Sequence, residues 1–200
     1  MWNRLRLVGP QRKTGDHVMH TAASAPSSDT MHVIYTIGHS TRSREEFLAI
    51  LKVHAIKLIA DVRAIPKSRR NPQFDGNAIA MNLSENGIDY EHIQKLGGLR
   101  RPKRGSPNRG WENDSFRGFA DYMQTADFKE GLEALIAVAR KKKTAIMCAE
   151  AVPWRCHRSL IGDALLVRGI TVIDILNSSS TKDHTLTPWA KVIGTDITYP

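Results

Sequence analysis

Apolar positions in this chain follow two rhythms, short continuous runs and helical stripes, and the two alternate along the sequence. His32–Ile37 is a short apolar run ending at Gly38, which predicts a strand. Ser43 with Glu46 then forms a capping box, in which a hydroxyl and a carboxylate each satisfy an end N–H. The helix it opens carries Phe47, Leu51 and His54 on one face. Lys57–Val62 predicts a second strand, and Asp75 caps a helix that stops at Gly87. Ile88–Ile93 alternates and predicts a third strand; Gln94–Ser115 shows no regular period. Phe116–Met123 is a short helix. Asp127 with Glu130 starts another, with Phe128, Leu132, Leu135, Ile136 and Ala139 spaced at helical period. Its basic end, Arg140–Lys143, suits the helix dipole. Thr144–Met147 is a fourth strand, His157–Arg168 a helix ended by Gly169, and Ile170–Leu176 a fifth strand; residues 186–200 form a short β-rich tail.

Strands alternating with helices imply right-handed crossovers and a mostly parallel sheet. The expected fold is therefore a single α/β domain over residues 32–200: three layers, a sheet of about five strands, and helices on both faces. Residues 1–31 are expected to be a disordered leader, because a Ser/Ala/Pro-rich stretch follows their basic start. Translation then begins at Met1, Met19 or Met31, and a mitochondrial-type targeting segment is the sharper alternative. No run of about 18 apolar residues is present, which argues against a spanning helix.

Composition adds two constraints. Apolar residues make up 41% of 200, enough for a core that needs neither disulfide nor metal. Only two cysteines occur, which favours a cytoplasmic home. The formal net charge is +9, which favours polyanions or phosphorylated ligands as partners.

In parallel sheets ligands bind beyond the carboxyl ends of the strands, and three polar segments fall there. The first, Thr36 to Thr41, places Gly38, His39 and Ser40 just before a helix start, where an anion can meet backbone N–H groups. The plainer alternative is hydroxyls competing to cap the helix. The second, Asp61 to Arg70, contains Arg63, Lys67, Arg69 and Arg70 and no further acid until Asp75. Arg63, Ser68 and Arg69 are candidates for holding phosphate, and Asp61 is either a base or the partner that orients Arg63. The third, Met147 to Ser159, brings Cys148, Glu150, Cys156, His157 and Arg158. A thiol beside arginines, a histidine and a helix N-terminus loses its proton easily, so Cys156 is the expected nucleophile and Cys148 a structural thiol. Cys148, Glu150, Cys156 and His157 are all possible zinc ligands, but their spacing matches no common structural zinc pattern, and neither metal nor cofactor is expected. In the stretch after strand three, Lys95, Arg100, Arg101, Lys103, Arg104 and Arg109 occur with no acid from His92 to Trp111. Nearby Trp111, Phe116 and Trp154 offer rings on which bases stack.

Together these stretches resemble the domain-of-unknown-function 488 family, a set of mainly prokaryotic proteins. The resemblance rests on Thr36-Ile37-Gly38-His39-Ser40, on Asp61-Val62-Arg63 with Pro66 and Ser68, and on Leu96-Gly97-Gly98. Phe119 with Tyr122-Met123, and Met147-Cys148-Ala149-Glu150 leading to Cys156-His157-Arg158, complete it. It spans about residues 32–200 and implies a cytoplasmic α/β fold without bringing a reaction. The strand-Cys-loop-Arg pattern is also similar to rhodaneses and cysteine phosphatases, but six residues separate Cys148 from Arg155 where the phosphatases have five.

Three functional expectations follow. The first is an enzyme acting on a phosphate-bearing substrate, a nucleotide or nucleic acid, with Asp61, Glu150, Cys156, His157 and His39 for chemistry. Gly38, Ser40, Arg63, Ser68, Arg69, Arg101 and Arg158 would bind substrate. The second is cysteine-dependent sulfur transfer or redox chemistry. The third is a non-catalytic nucleic-acid module using the basic 95–109 segment.

Overall fold

A computed structural model describes residues 33–200; the expected leader and the alternative starts lie outside the described residues. Strands β1 (Val33–Gly38), β2 (Leu58–Asp61), β3 (Asp89–His92), β4 (Thr144–Cys148) and β5 (Thr171–Ile175) are parallel neighbours in one sheet. A sixth strand, β6 (Thr181–Asp183), runs antiparallel at the edge, giving the order β3-β2-β4-β1-β5-β6. The sequence predicts five strands and misses β6, since Thr181-Lys182-Asp183 is exposed throughout and carries no apolar signal. The tail is β-rich as expected: β7 (Lys191–Ile193) and β8 (Asp196–Thr198) form a separate hairpin.

The strands' two faces are both apolar, as parallel strands buried on both sides require. Ile37, Ile59, Ala145, Met147 and Ile175 pack on one face against α1 (Arg44–Val53) and α2 (Gly76–Glu85). Ile34, Ala60, Ile146, Cys148 and Val172 face α3 (Asp114–Tyr122), α4 (Ala126–Ala139) and α5 (Arg158–Leu166). The result is the three-layer α/β architecture. No helix among the described residues is long and apolar enough to cross a membrane.

Helix starts differ in detail from the predicted caps. Ser43 does accept from the Glu46 N–H, but the Glu46 carboxylate pairs with Arg42 instead of closing the box. Asp75 makes no cap bond; its carboxylate takes the Ser68 N–H at 2.6 Å and ties the preceding loop to α2. Thr125, not Asp127, caps α4.

The irregular stretch after β3 is held at its centre. Asp121 on α3 accepts from Lys103 N–H, Ser106 Oγ and Asn108 Nδ2 at 2.6–2.7 Å. Burial alone would raise its pKa, but these donors outweigh that and lower it.

What places the site is the position of β4 between β1 and β2. The chain leaves β1, skips one place to form β2, and later returns to fill the gap. Gly38 pairs with Cys148, and Asp61 with Met147, so three separated polar turns begin side by side.

Candidate functional site

A cavity of about 670 Å³ lies above the carboxyl ends of β1, β2 and β4. Its wall includes His39, Ser40, Arg63, Ser68, Arg69, Glu150 and His157 from the sequence-derived candidates. It also includes Cys148, Lys67 and Arg70. Gly38, Asp61, Cys156, Arg158 and Arg101 are not part of the lining. The backbone is in the left-handed region at two lining residues that are not glycine, Ser40 (φ 50°) and Leu99 (φ 58°). Such positions cluster at binding and catalytic sites.

Beneath the cavity runs a layer of fully used charges. Asp61 accepts from Arg63 N–H and Nε, from Nη2 at 2.5 Å, and from Tyr90 Oη at 2.7 Å. With its four bonds made inside the protein and no exposure, it orients Arg63 and is not placed to act as a base. Arg63 spends Nη1 on the Phe74 carbonyl (2.8 Å) and on His39 Nε2 (3.3 Å). Burial opposes its charge, but Asp61 outweighs it and raises the guanidinium pKa further. His39 donates Nδ1–H to the Ser40 carbonyl, so its Nε2 is the acceptor for Arg63. Burial, aided by Arg63, lowers its pKa. It lies flat on Phe74 at 4.2 Å.

Arg158 is likewise turned inward. It donates to the carbonyls of Glu150 (2.6 Å) and Ala151 (2.9 Å) and to Thr36 Oγ1 (3.3 Å), with 1% exposure. It shapes the 149–152 loop, and its buried fork does not reach a ligand. The same loop explains Gly38: a Cβ there would overlap the Glu150 carbonyl. Arg155 is exposed in a turn beyond the loop and does not close over Cys148 as a phosphatase arginine does.

At the cavity floor Cys148 is 3.9 Å from His157 Nδ1, and Cys156 is 3.7 Å from the same atom. His157 Nε2 donates to the Val62 carbonyl at 2.9 Å, which fixes the ring and leaves Nδ1 facing the sulfurs. A bond from Cys156 and the neighbouring His157 pull Cys148 well below the usual thiol value, against its burial. Cys148 and burial push Cys156 well above it. Thus Cys148, expected to be structural, lines the cavity with the more acidic thiol, whereas Cys156, expected as nucleophile, sits behind it. Cys148 faces the cavity because it is the last residue of β4 and pairs with Gly38, a placement that only the fold supplies.

The rim is cationic. Lys67, Arg69 and Arg70 are exposed, and none has a carboxylate partner among the described residues. Among the described residues Glu150 is the one carboxylate on the cavity wall. Arg101 lies outside the cavity in the loop that packs across Gly118.

Comparison with known proteins gave one match. No curated protein and no solved structure matches the chain. A family model described as Domain of unknown function DUF488 matches residues 43–165. That stretch contains β2 with its Asp61–Arg63 pair, the cationic segment, β4, and the cysteines and histidine of the cavity floor. The chain belongs to the DUF488 family.

Proposed function

We propose that this protein is an enzyme acting on a phosphate-bearing substrate, a nucleotide or a nucleic-acid end, bound in the strand-end cavity. One observation carries the reading: three cations without carboxylate partners among the described residues, Lys67, Arg69 and Arg70, line the same cavity as Glu150 and the Cys148–His157 pair. Free guanidinium groups take phosphate bidentately. Arg63, held rigid by Asp61, adds positive potential at the base of the cavity without itself being the main contact. Glu150 is the carboxylate left to move a proton, because Asp61 is fully bonded and both ring nitrogens of His39 are engaged.

The test is binding of inorganic phosphate, a nucleoside monophosphate and a short oligonucleotide, followed by calorimetry at two salt concentrations. Affinity should fall as salt rises. Replacing Arg69 and Arg70 together by alanine should weaken binding by about tenfold or more, roughly the worth of one good charged contact. Binding that ignores both salt and the double substitution would remove the reading.

Cysteine-dependent sulfur transfer or redox chemistry has one observation in its favour, the acidified Cys148 at the cavity floor. It requires Cys148 to alkylate with an apparent pKa below the free-thiol value of about 8.5. Slow alkylation at the ordinary pH would dispose of it. The nucleic-acid module on the 95–109 segment has less support, since Lys95 pairs with Asp127 and Glu130 and the middle of the segment is clamped by Asp121.

A further inference from the structure

Three side chains at the cavity floor have a geometry that phosphate binding does not call for. Cys148 Sγ, Cys156 Sγ and His157 Nδ1 all lie within 4.8 Å of one another. The two nitrogen-to-sulfur separations are 3.9 and 3.7 Å. Around a tetrahedral zinc, with sulfur at about 2.3 Å and nitrogen at about 2.0 Å, neighbouring ligands stand roughly 3.6 Å apart. The two nitrogen-to-sulfur separations already match that spacing to within a few tenths of an ångström.

The surroundings suit a ligand set as well. The Nε2–H of His157 is committed to the Val62 carbonyl, which leaves Nδ1 with its lone pair, the tautomer that binds metal. A metal-bound histidine characteristically gives its other N–H to a backbone carbonyl or a carboxylate in this way. The ring is also held in place from its sides. Phe119 meets it edge-on at 4.9 Å, and a Cβ at Gly98 would come within 3.0 Å of Nδ1. The Cys148 sulfur bonds only to Cys156 and His157 among the described residues, and the Cys156 sulfur also takes the Arg158 backbone N–H, as metal-bound thiolates commonly do. Two thiolates and an imidazole are soft-to-borderline donors, which select zinc over magnesium or calcium.

We infer that Cys148, Cys156 and His157 form a zinc site whose fourth coordination position opens into the cavity. Three protein ligands are the number found in catalytic zinc sites, whereas structural sites close with four. Cys148 and His157 line the cavity and Cys156 lies behind them, so the remaining position faces the space rimmed by Lys67, Arg69 and Arg70. A water or substrate oxygen there would share the cavity with Glu150. The spacing escaped the sequence patterns because the ligands come from a strand end and from an adjacent pair at a helix start. Glu150, a fourth possible ligand by sequence, is not in the cluster. The inference does not depend on phosphate binding. It does replace the thiol reading, because a zinc-bound thiolate is not free to attack.

The test uses the full chain purified without metal-chelate chromatography. Elemental analysis should find about one zinc per chain, and Cys148→Ser and Cys156→Ser should each lose most of it while circular dichroism stays native. Should those variants fail to fold, chelator-stripped wild type is titrated with cobalt(II). A thiolate-to-cobalt charge-transfer band with the intense visible bands of a tetrahedral ion, saturating at one equivalent, is the expected result. Both thiols should resist alkylation until the metal is removed. Zinc far below one per chain with only a weak octahedral cobalt spectrum would overturn the inference. So would a Cys148–Cys156 disulfide in the freshly purified protein. Failure of phosphate binding with the cobalt spectrum intact would count against the proposed function alone.

Discussion

Single residues here illustrate how a charged group can be functional in appearance and structural in use. Asp61 and Arg63 sit at a strand end, two residues apart, in a basic cavity. Yet the carboxylate makes four bonds within the protein and the guanidinium retains little to offer a ligand. Replacing Asp61 with asparagine leaves a buried guanidinium without its counter-charge, so stability should fall by about 3–5 kcal/mol. Tyr90→Phe removes one hydrogen bond to the same carboxylate and should cost only about 1 kcal/mol. Urea denaturation of both variants checks the pair; equal, small losses would mean that the carboxylate is not the keystone described. The Asp61–Arg63 pairing was legible from sequence as an alternative. Its saturation was not, because Tyr90 and the Phe74 carbonyl arrive from distant segments. Arg158 is the same case: a helix-start arginine looks free in sequence, and only the fold shows it bonded to the Glu150 and Ala151 carbonyls.

At the scale of elements, the strands and helices that position the cavity follow from hydrophobic period, and their ends follow from caps only in part. Asp75 was drawn off its helix by Ser68, and Thr125 reached the α4 N–H groups ahead of Asp127. The edge strand β6 escaped notice because it buries nothing, yet it leads into a latch. His184, just after β6, donates to Asp163 on α5 at 3.0 Å and to Asp174 on β5 at 3.5 Å. Burial would lower its pKa, but the two carboxylates outweigh it and raise it to about 9. Since the folded value exceeds the unfolded value of about 6.5, the charged imidazole stabilises the fold fully below that pH. That contribution, on the order of 3 kcal/mol at most, fades as pH rises through about 9. Melting temperatures from pH 6 to 10 should decline for the wild type, and His184→Gln should flatten the decline. Parallel curves would show that His184 does not carry the charge. Gly162 is required for this contact, since a Cβ there would lie 2.7 Å from the imidazole ring.

For the whole molecule, inserting β4 between β1 and β2 converts three separated polar segments into one wall. The family motifs are legible in sequence, and so is the gathering of loops at one end of a parallel sheet. The division of labour between the two cysteines is not, because it depends on which sulfur faces the cavity and which lies behind. The wide surplus of basic residues also becomes specific only in the fold. Lys95 is paired elsewhere, Arg101 lies outside the cavity, and Lys67, Arg69 and Arg70 remain to face it without carboxylate partners among the described residues. That convergence is the central claim, and a phosphate mimic with a strong anomalous signal tests it most directly. Crystals soaked in tungstate should show a peak inside the cavity within contact distance of Arg69 or Arg70, and the peak should vanish in the Arg69→Ala, Arg70→Ala double variant. A map with no tungstate there, or with peaks only on other basic surfaces, would contradict the account.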